Sequence, residues 1–248
     1  MNRRELLKSA ALAGAAGTAK PKPVGAVRAI CFDLFTLFDP RSVVKAVQRF
    51  VPQGAAELCE AWRSRQFEYA WLRVAGGRYA DFRTVTADAL AWAAQTRGVS
   101  LTAEARAAMV DGYSQLDLWP DAREALLAWK SEGLQLAPLA NYAPSMIEGL
   151  VKHGGLEGVF DELISTDRAR TYKPDPRAYA LGLSVLGRKR EEIVFAAFGG
   201  WDAAGAAWFG YPTFWVNRFG QPQEELGIAA DATGRTLAGL REFVRSRA

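Results

Sequence analysis

The sequence has one histidine, His153, and that scarcity removes several chemistries at once. A His-rich metal cluster is excluded. A Ser-His-Asp triad would have to use His153, which precedes Gly154-Gly155 at an expected helix end, where a cation is ordinary. No Gly-x-Ser-x-Gly elbow accompanies it, so the triad is rejected. The two cysteines, Cys31 and Cys59, are too few for a disulfide framework or a metal site and read as small buried hydrophobes. Charge of one sign is also scarce. The formal charge of +4 falls when Met1 to Ala19 is set aside, because Arg3, Arg4 and Lys8 leave with Glu5, giving 28 basic against 26 acidic residues. No Lys/Arg cluster with interleaved aromatics follows, so nucleic acid is not an expected partner. No apolar run is long enough to span a bilayer, and no stable membrane anchor is expected.

Half of the 248 residues are hydrophobic, enough for one large α/β domain with a smaller inserted one. The chain opens on Asn2-Arg3-Arg4-Glu5-Leu6-Leu7-Lys8, followed by an Ala- and Gly-rich stretch to Ala19. A paired arginine, a weakly hydrophobic segment and a small-x-small exit resemble a twin-arginine export signal over residues 1–19. A periplasmic location is the expectation; a frayed amphipathic helix, leaving the protein cytoplasmic, is the alternative. Residues 20–26, with Lys20-Pro21-Lys22-Pro23, read as a linker.

Val27 to Phe32 reads as a buried strand ending at Asp33. From Arg41 to Tyr113 the pattern is helical, broken at Pro52-Gln53-Gly54, Gly76-Gly77 and Arg97-Gly98. Strands are then expected over Leu134–Ala140, Phe160–Ile164, Ile193–Phe198 and Thr213–Val216. Helices are expected over Ala122–Ser131, Pro144–Lys152, Pro176–Leu186, Asp202–Phe209 and Thr236–Arg245. Repeated β-α units imply a Rossmann-like, doubly wound parallel sheet covered on both faces. Residues 27–40 and 115–248 would form this α/β core, and residues 41–114 an inserted α-helical cap domain.

In such sheets chemistry gathers beyond the carboxyl ends of the strands. Asp33 stands there as a nucleophile, a metal ligand or a cap of the next turn. Asn141, Lys173 and Asp202 each follow a successive strand, and Pro174 biases Lys173 toward extended geometry. Asp202 at a helix start could equally be a dipole partner. Within the cap, Ala56, Cys59, Arg63, Phe67, Ala70 and Val74 fall on one helical stripe, apolar except for Arg63. That arginine either meets an anion or snorkels to solvent.

These segments resemble the haloacid dehalogenase superfamily and, within it, the L-2-haloacid dehalogenases. The similarity runs colinearly from Val27 to Val244 through Phe32-Asp33, Thr36-Leu37-Phe38-Asp39, Ala61-Trp62-Arg63 and Phe67 to Arg73. It continues through Arg78 to Phe82, Tyr172-Lys173-Pro174-Asp175, Tyr179 and Trp201 to Ala206. The resemblance implies that Asp33 displaces the leaving group at C2 of an L-2-haloacid, forming an ester that water then opens to a 2-hydroxy acid. It implies that Arg63 and Asn141 receive the halide and that Lys173, held by Asp202, pairs with Asp33. Thr36 would lie near the substrate carboxylate, and Phe35, Phe67, Phe82, Tyr179 and Trp201 would contact substrate. No metal or other cofactor is expected, and a homodimer is implied.

Several positions depart from the family pattern. Asp33-Leu34-Phe35-Thr36 is one residue shorter than Asp-x-x-Gly-Thr, Ala140 replaces a serine, and Ala197 and Gly199 replace a serine and an asparagine. Another 2-substituted carboxylate, such as a strained cyclic amino acid, is therefore a second candidate substrate for the same ester chemistry. A periplasmic protein that binds without turnover is the third reading. A phosphatase is disfavoured because Phe35 stands where its general acid would be and Gly199-Gly200-Trp201 supplies no further carboxylate.

Overall fold

The first strand, β1 (Ala29–Phe32), is buried on both sides, and its side chains alternate between two cores. Ile30 and Phe32 face one core, with Leu136, Val194 and Phe214; Ala29 and Cys31 face the other, with Leu139, Phe195 and Tyr211. This two-residue period is what a central strand covered on both faces requires. The computed structural model describes residues 26–247. The expected export signal and all but the last residue of the expected linker lie outside the described residues.

Beyond β1, a two-stranded antiparallel pair joins β2 (Phe38–Asp39) to β3 (Asp117–Leu118). The main sheet continues with β4 (Gln135–Ala140), β5 (Ile164–Ser165), β6 (Ile193–Ala197), β7 (Thr213–Val216) and β8 (Ala232–Gly234). Its order is β5-β4-β1-β6-β7-β8, and every pairing is parallel. Because β1 lies between β4 and β6, the chain winds outward in both directions from it. The crevice over its carboxyl end is the switch point at which such folds place ligands.

Four helices separate β2 from β3 in sequence: α1 (Val44–Gln48), α2 (Ala55–Ala75), α3 (Phe82–Thr96) and α4 (Ala103–Asp111). Their breaks match the expected glycines. Gly54 and Gly77 hold φ of 76° and 64°, which a side chain would strain. Asp81 and Thr102 cap α3 and α4 by accepting the backbone N–H of Thr84 and Ala105. The stripe expected on α2 is rotated by about one position. Its core face is Ala55, Leu58, Trp62, Gln66 and Ala70, while Ala56 is exposed. Trp62 sets that register: its indole donates to Thr86 O at 2.7 Å and its ring meets Tyr113 edge-on.

The sheet is covered by α5 (Ala122–Ser131), α6 (Pro144–His153), α7 (Pro176–Leu186), α8 (Gly200–Phe209) and α9 (Leu237–Arg245). The strand expected over Phe160–Ile164 is corrected to Ile164–Ser165. Asp161 interrupts it by turning its carboxylate onto Leu136 N and Lys130 Nζ, which ends pairing at a loop. Strand β8 is three residues at a sheet edge and was not expected. Cys31 is buried and Cys59 half-buried, both as free thiols. No helix among the described residues is long and apolar enough to cross a membrane.

Candidate active site

Asp33 leaves β1 with its backbone N–H on Ala196 O at 2.9 Å. Its carboxylate is divided between two tasks. Oδ2 accepts the Phe35 N–H at 3.1 Å, capping the short turn Leu34–Thr36, while Oδ1 takes the Lys173 ammonium at 2.8 Å. The capping reading and the reactive reading are therefore compatible. The cap fixes the side-chain torsion and leaves the carboxylate at the surface of a cavity, with 15% of the side chain exposed.

Lys173 is only 1% exposed and bridges Asp33 to Asp202, whose Oδ2 lies 2.6 Å from the same ammonium. Its backbone is clamped from two directions. The N–H donates to Asn141 Oδ1 at 2.9 Å, and the carbonyl accepts the Trp71 indole of α2 at 3.1 Å. Asp202 sits in the first turn of α8, equally buried, and its other oxygen accepts the Tyr179 hydroxyl at 2.7 Å. Burial opposes charge on Lys173, but Asp202 and Asp33 outweigh it and hold the ammonium above the usual lysine value. Burial pushes Asp202 up to about 6, reinforced by the charge of Asp33 and opposed by Lys173. With both carboxylates ionised the trio carries one net negative charge, concentrated on the more accessible Asp33.

Small residues make this packing possible. Any side chain at Gly205 of α8 would collide with the Tyr179 hydroxyl and with Pro174. Gly205→Ala is expected to cost about 1–3 kcal/mol by overpacking, read in urea unfolding, and to loosen the Tyr179 support of Asp202. An unchanged unfolding midpoint would show that Tyr179 can give way.

Asp33 opens onto a cavity of about 650 Å³. Phe35, Arg63, Phe67, Phe82, Asn141 and Trp201 all line it, so most of the expected site residues meet at one place. Arg63 makes no hydrogen bond or ion pair within the described residues, although Glu60 and Glu224 line the same cavity. Asn141 is held by its carbonyl oxygen, which leaves its amide N–H groups as the free end. Phe67 and Trp71 each meet the Trp201 ring edge to face, and Gly199 makes room for this. A Cβ at position 199 would come within 2.8 Å of the Trp201 indole nitrogen.

Two expected contacts are placed elsewhere. Thr36 is fully buried and turns its hydroxyl back onto Asp33 O at 2.7 Å. Tyr179 lies behind Asp202, outside the cavity lining. The shortened turn accounts for Thr36, because its side chain closes that turn. The cavity also has walls that sequence reasoning missed: Arg41, Tyr142, Phe198 and the segment from Asn217 to Glu224. Arg218 anchors that segment through two 2.9 Å bonds to Asp121 and one of 2.7 Å to Thr36 O. Tyr142, directly after Asn141, was the one with an available signal. Among the described residues no group of three or more His, Cys, Asp or Glu side chains is placed to hold a metal ion.

Comparison with known proteins agrees with this geometry. Residues 27–210 match the family of haloacid dehalogenase-like hydrolases. An (S)-2-haloacid dehalogenase of Pseudomonas sp. (strain YL) is 39% identical over 223 residues, covering 90% of this chain and 96% of that protein. The L-2-haloacid dehalogenase of Xanthobacter autotrophicus, solved with chloropropionic acid covalently bound, superposes with a TM-score of 0.84 at 34% identity. That alignment covers 90% of this chain and all (100%) of the other. A further L-2-haloacid dehalogenase structure reaches a TM-score of 0.86 at 37% identity, over 89% of this chain and 100% of that one. The chain belongs to the haloacid dehalogenase-like hydrolases, on the branch of the (S)-2-haloacid dehalogenases.

Proposed function

We propose that the protein hydrolyses L-2-haloacids to 2-hydroxy acids and halide through an ester on Asp33. One observation carries this reading: a partly exposed carboxylate, held by a buried ammonium, shares a cavity with an arginine that has no counter-ion among the described residues. The carboxylate is the electron-rich end and Arg63 the natural receiver of a departing anion. Asp33 attacks C2 from the side opposite the halogen, the carbon–halogen bond breaks, and the halide leaves toward Arg63 and the Asn141 amide. Water then adds to the Asp33 carbonyl carbon and expels the 2-hydroxy acid, returning the carboxylate and one proton. Aromatic walls keep bulk water from solvating the nucleophile, which raises its reactivity. Lys173, itself held by Asp202, fixes the aim of Asp33.

Chloride release from L-2-chloropropionate without added metal tests this reading, and its absence would send the search to other 2-substituted carboxylates. Its pH profile tests the buried trio. As pH falls through about 6, Asp202 takes a proton and leaves the Lys173 ammonium to Asp33 alone, which damps the nucleophile. Activity is therefore expected to decline on the acid side with a midpoint near 6, and Asp202→Asn should remove that limb. The stability sign is distinct. The raised carboxylate contributes fully below its ordinary value of 3.8 and loses that contribution as pH rises through about 6. The raised lysine contributes below 10.5 and loses its contribution above.

Assembly as a homodimer and export by a twin-arginine signal belong to the same proposal. The first rests on the family resemblance and the second on Asn2 to Ala19. Sedimentation equilibrium and cell fractionation test them, and a monomer or a wholly cytoplasmic protein would refute the respective reading.

A further inference from the structure

Tyr142 follows β4 directly after Asn141 and is almost wholly buried. Its ring stacks on Phe82 of α3 at 5.1 Å and meets Phe35 edge-on at 5.9 Å, so it forms part of the same cavity as Asp33. Its hydroxyl is enclosed and has no hydrogen-bond partner among the described residues. The polar chain through Tyr113, whose ring centroid lies 6.3 Å from that of Tyr142, makes no hydrogen bond to it. Tyr113 donates to Gln66 Oε1 at 2.8 Å, and Gln66 donates to Thr86 Oγ1 at 2.9 Å.

An enclosed hydroxyl without a partner is destabilising, and phenylalanine would fill the same space without that penalty. The acceptors of Asp33 and Asn141, which share the cavity with the Tyr142 ring, are already engaged. Asp33 gives one oxygen to Lys173 and the other to Phe35 N–H, and Asn141 Oδ1 serves Lys173 N. A bound ligand can supply the missing acceptor. Burial, reinforced by Tyr113 and then by the negative charge of Asp33, keeps the phenol protonated at neutral pH, so it has a proton to offer to an incoming oxygen. Ala140, two residues earlier, has no polar side chain to take that role.

We propose that the Tyr142 hydroxyl donates a hydrogen bond to a carboxylate oxygen of the bound substrate. This deepens the haloacid reading and rests on it for the identity of the acid. Of the groups on a 2-haloacid, the carboxylate is the strong acceptor, and it keeps its charge while the halogen departs. Tyr142 is thus a binding residue, contributing alike to the ground state and the transition state.

Tyr142→Phe tests this in two settings. In the active protein, KM for L-2-chloropropionate is expected to rise about 10-fold with kcat within about 3-fold, as loss of a uniform binding contact requires. In an Asp33→Asn background, calorimetry should show the same roughly 10-fold loss of affinity for L-2-chloropropionate. The thermal midpoint should stay level or rise. Unchanged KM and affinity, or a fall in the thermal midpoint, overturns the assignment and makes the residue a structural one. If the parent protein releases no chloride, the haloacid reading fails, while the calorimetric comparison still decides Tyr142. Weaker binding in the double variant supports it, and equal or undetectable binding in both overturns it.

Discussion

Asp33→Asn is expected to abolish chloride release from L-2-chloropropionate, a loss of at least about 10³-fold, while leaving the fold intact. The substitution is close to isosteric. An asparagine oxygen can still accept the Phe35 N–H that caps the turn after β1, and Lys173 keeps its 2.6 Å bond to Asp202. What disappears is the nucleophile, and with it the net negative charge of the trio. The amide then turns its NH2 toward the Lys173 ammonium, donor against donor, so stability should hold level or fall by about 1 kcal/mol. A variant that folds, binds the acid and releases nothing separates catalysis from mere binding. Residual release within about 10-fold of the parent would mean that Asp33 is a cap and an electrostatic support only.

Lys173→Met should do the opposite, damaging the fold as well as the activity. The ammonium serves two carboxylates at once, and Asp202 is as buried as the lysine itself. Removing one partner of a buried ionic network leaves an uncompensated charge and typically costs about 3–5 kcal/mol. Without Lys173 the pull that opposes burial is gone, so Asp202 moves further above its ordinary value. A carboxylate raised in the folded state loses its contribution as pH rises, so the deficit relative to the parent should be larger at about pH 8 than at about pH 5. Urea unfolding at the two pH values reads this directly. Adding Asp202→Asn should restore much of the stability but none of the activity. A single variant as stable as the parent at both values would show that the trio is well hydrated.

Much of this arrangement is legible in the chain because local chemistry and tertiary role agree. Helices α5 and α7 and strand β7 fall where the pattern places them. For α7 the reasons are local: Asp175 caps it, Pro176 starts it and Gly187, at φ 63°, stops it. Asp33 and Asn141 are readable because a strand ends directly before them, Lys173 and Asp202 because they lie in the loop or helix start after the next strands, and a parallel sheet brings such ends together. The positions that escape are those whose identity depends on partners far away in sequence. Strand β8 is three half-exposed residues with no apolar run and exists because β7 offers an edge. Arg218 reaches across 97 residues to Asp121, and nothing near either announces the pair. The face of α2 was displaced because Trp62 and Gln66, which look neutral in an amphipathic pattern, find buried partners on α3. Thr36 was expected at the substrate because its residue type matches a family position, but its shortened turn makes it a structural bond.

The central claim is that the carbon–oxygen bond to substrate is made by Asp33 before water enters. A single turnover of L-2-chloropropionate with the enzyme in excess, in water labelled with heavy oxygen, tests it most directly. Chloride, a 2-hydroxy acid of inverted configuration carrying unlabelled oxygen, and label in the peptide containing Asp33 are expected. Label in the hydroxy acid with none in that peptide would contradict it, because water would then have attacked C2 itself.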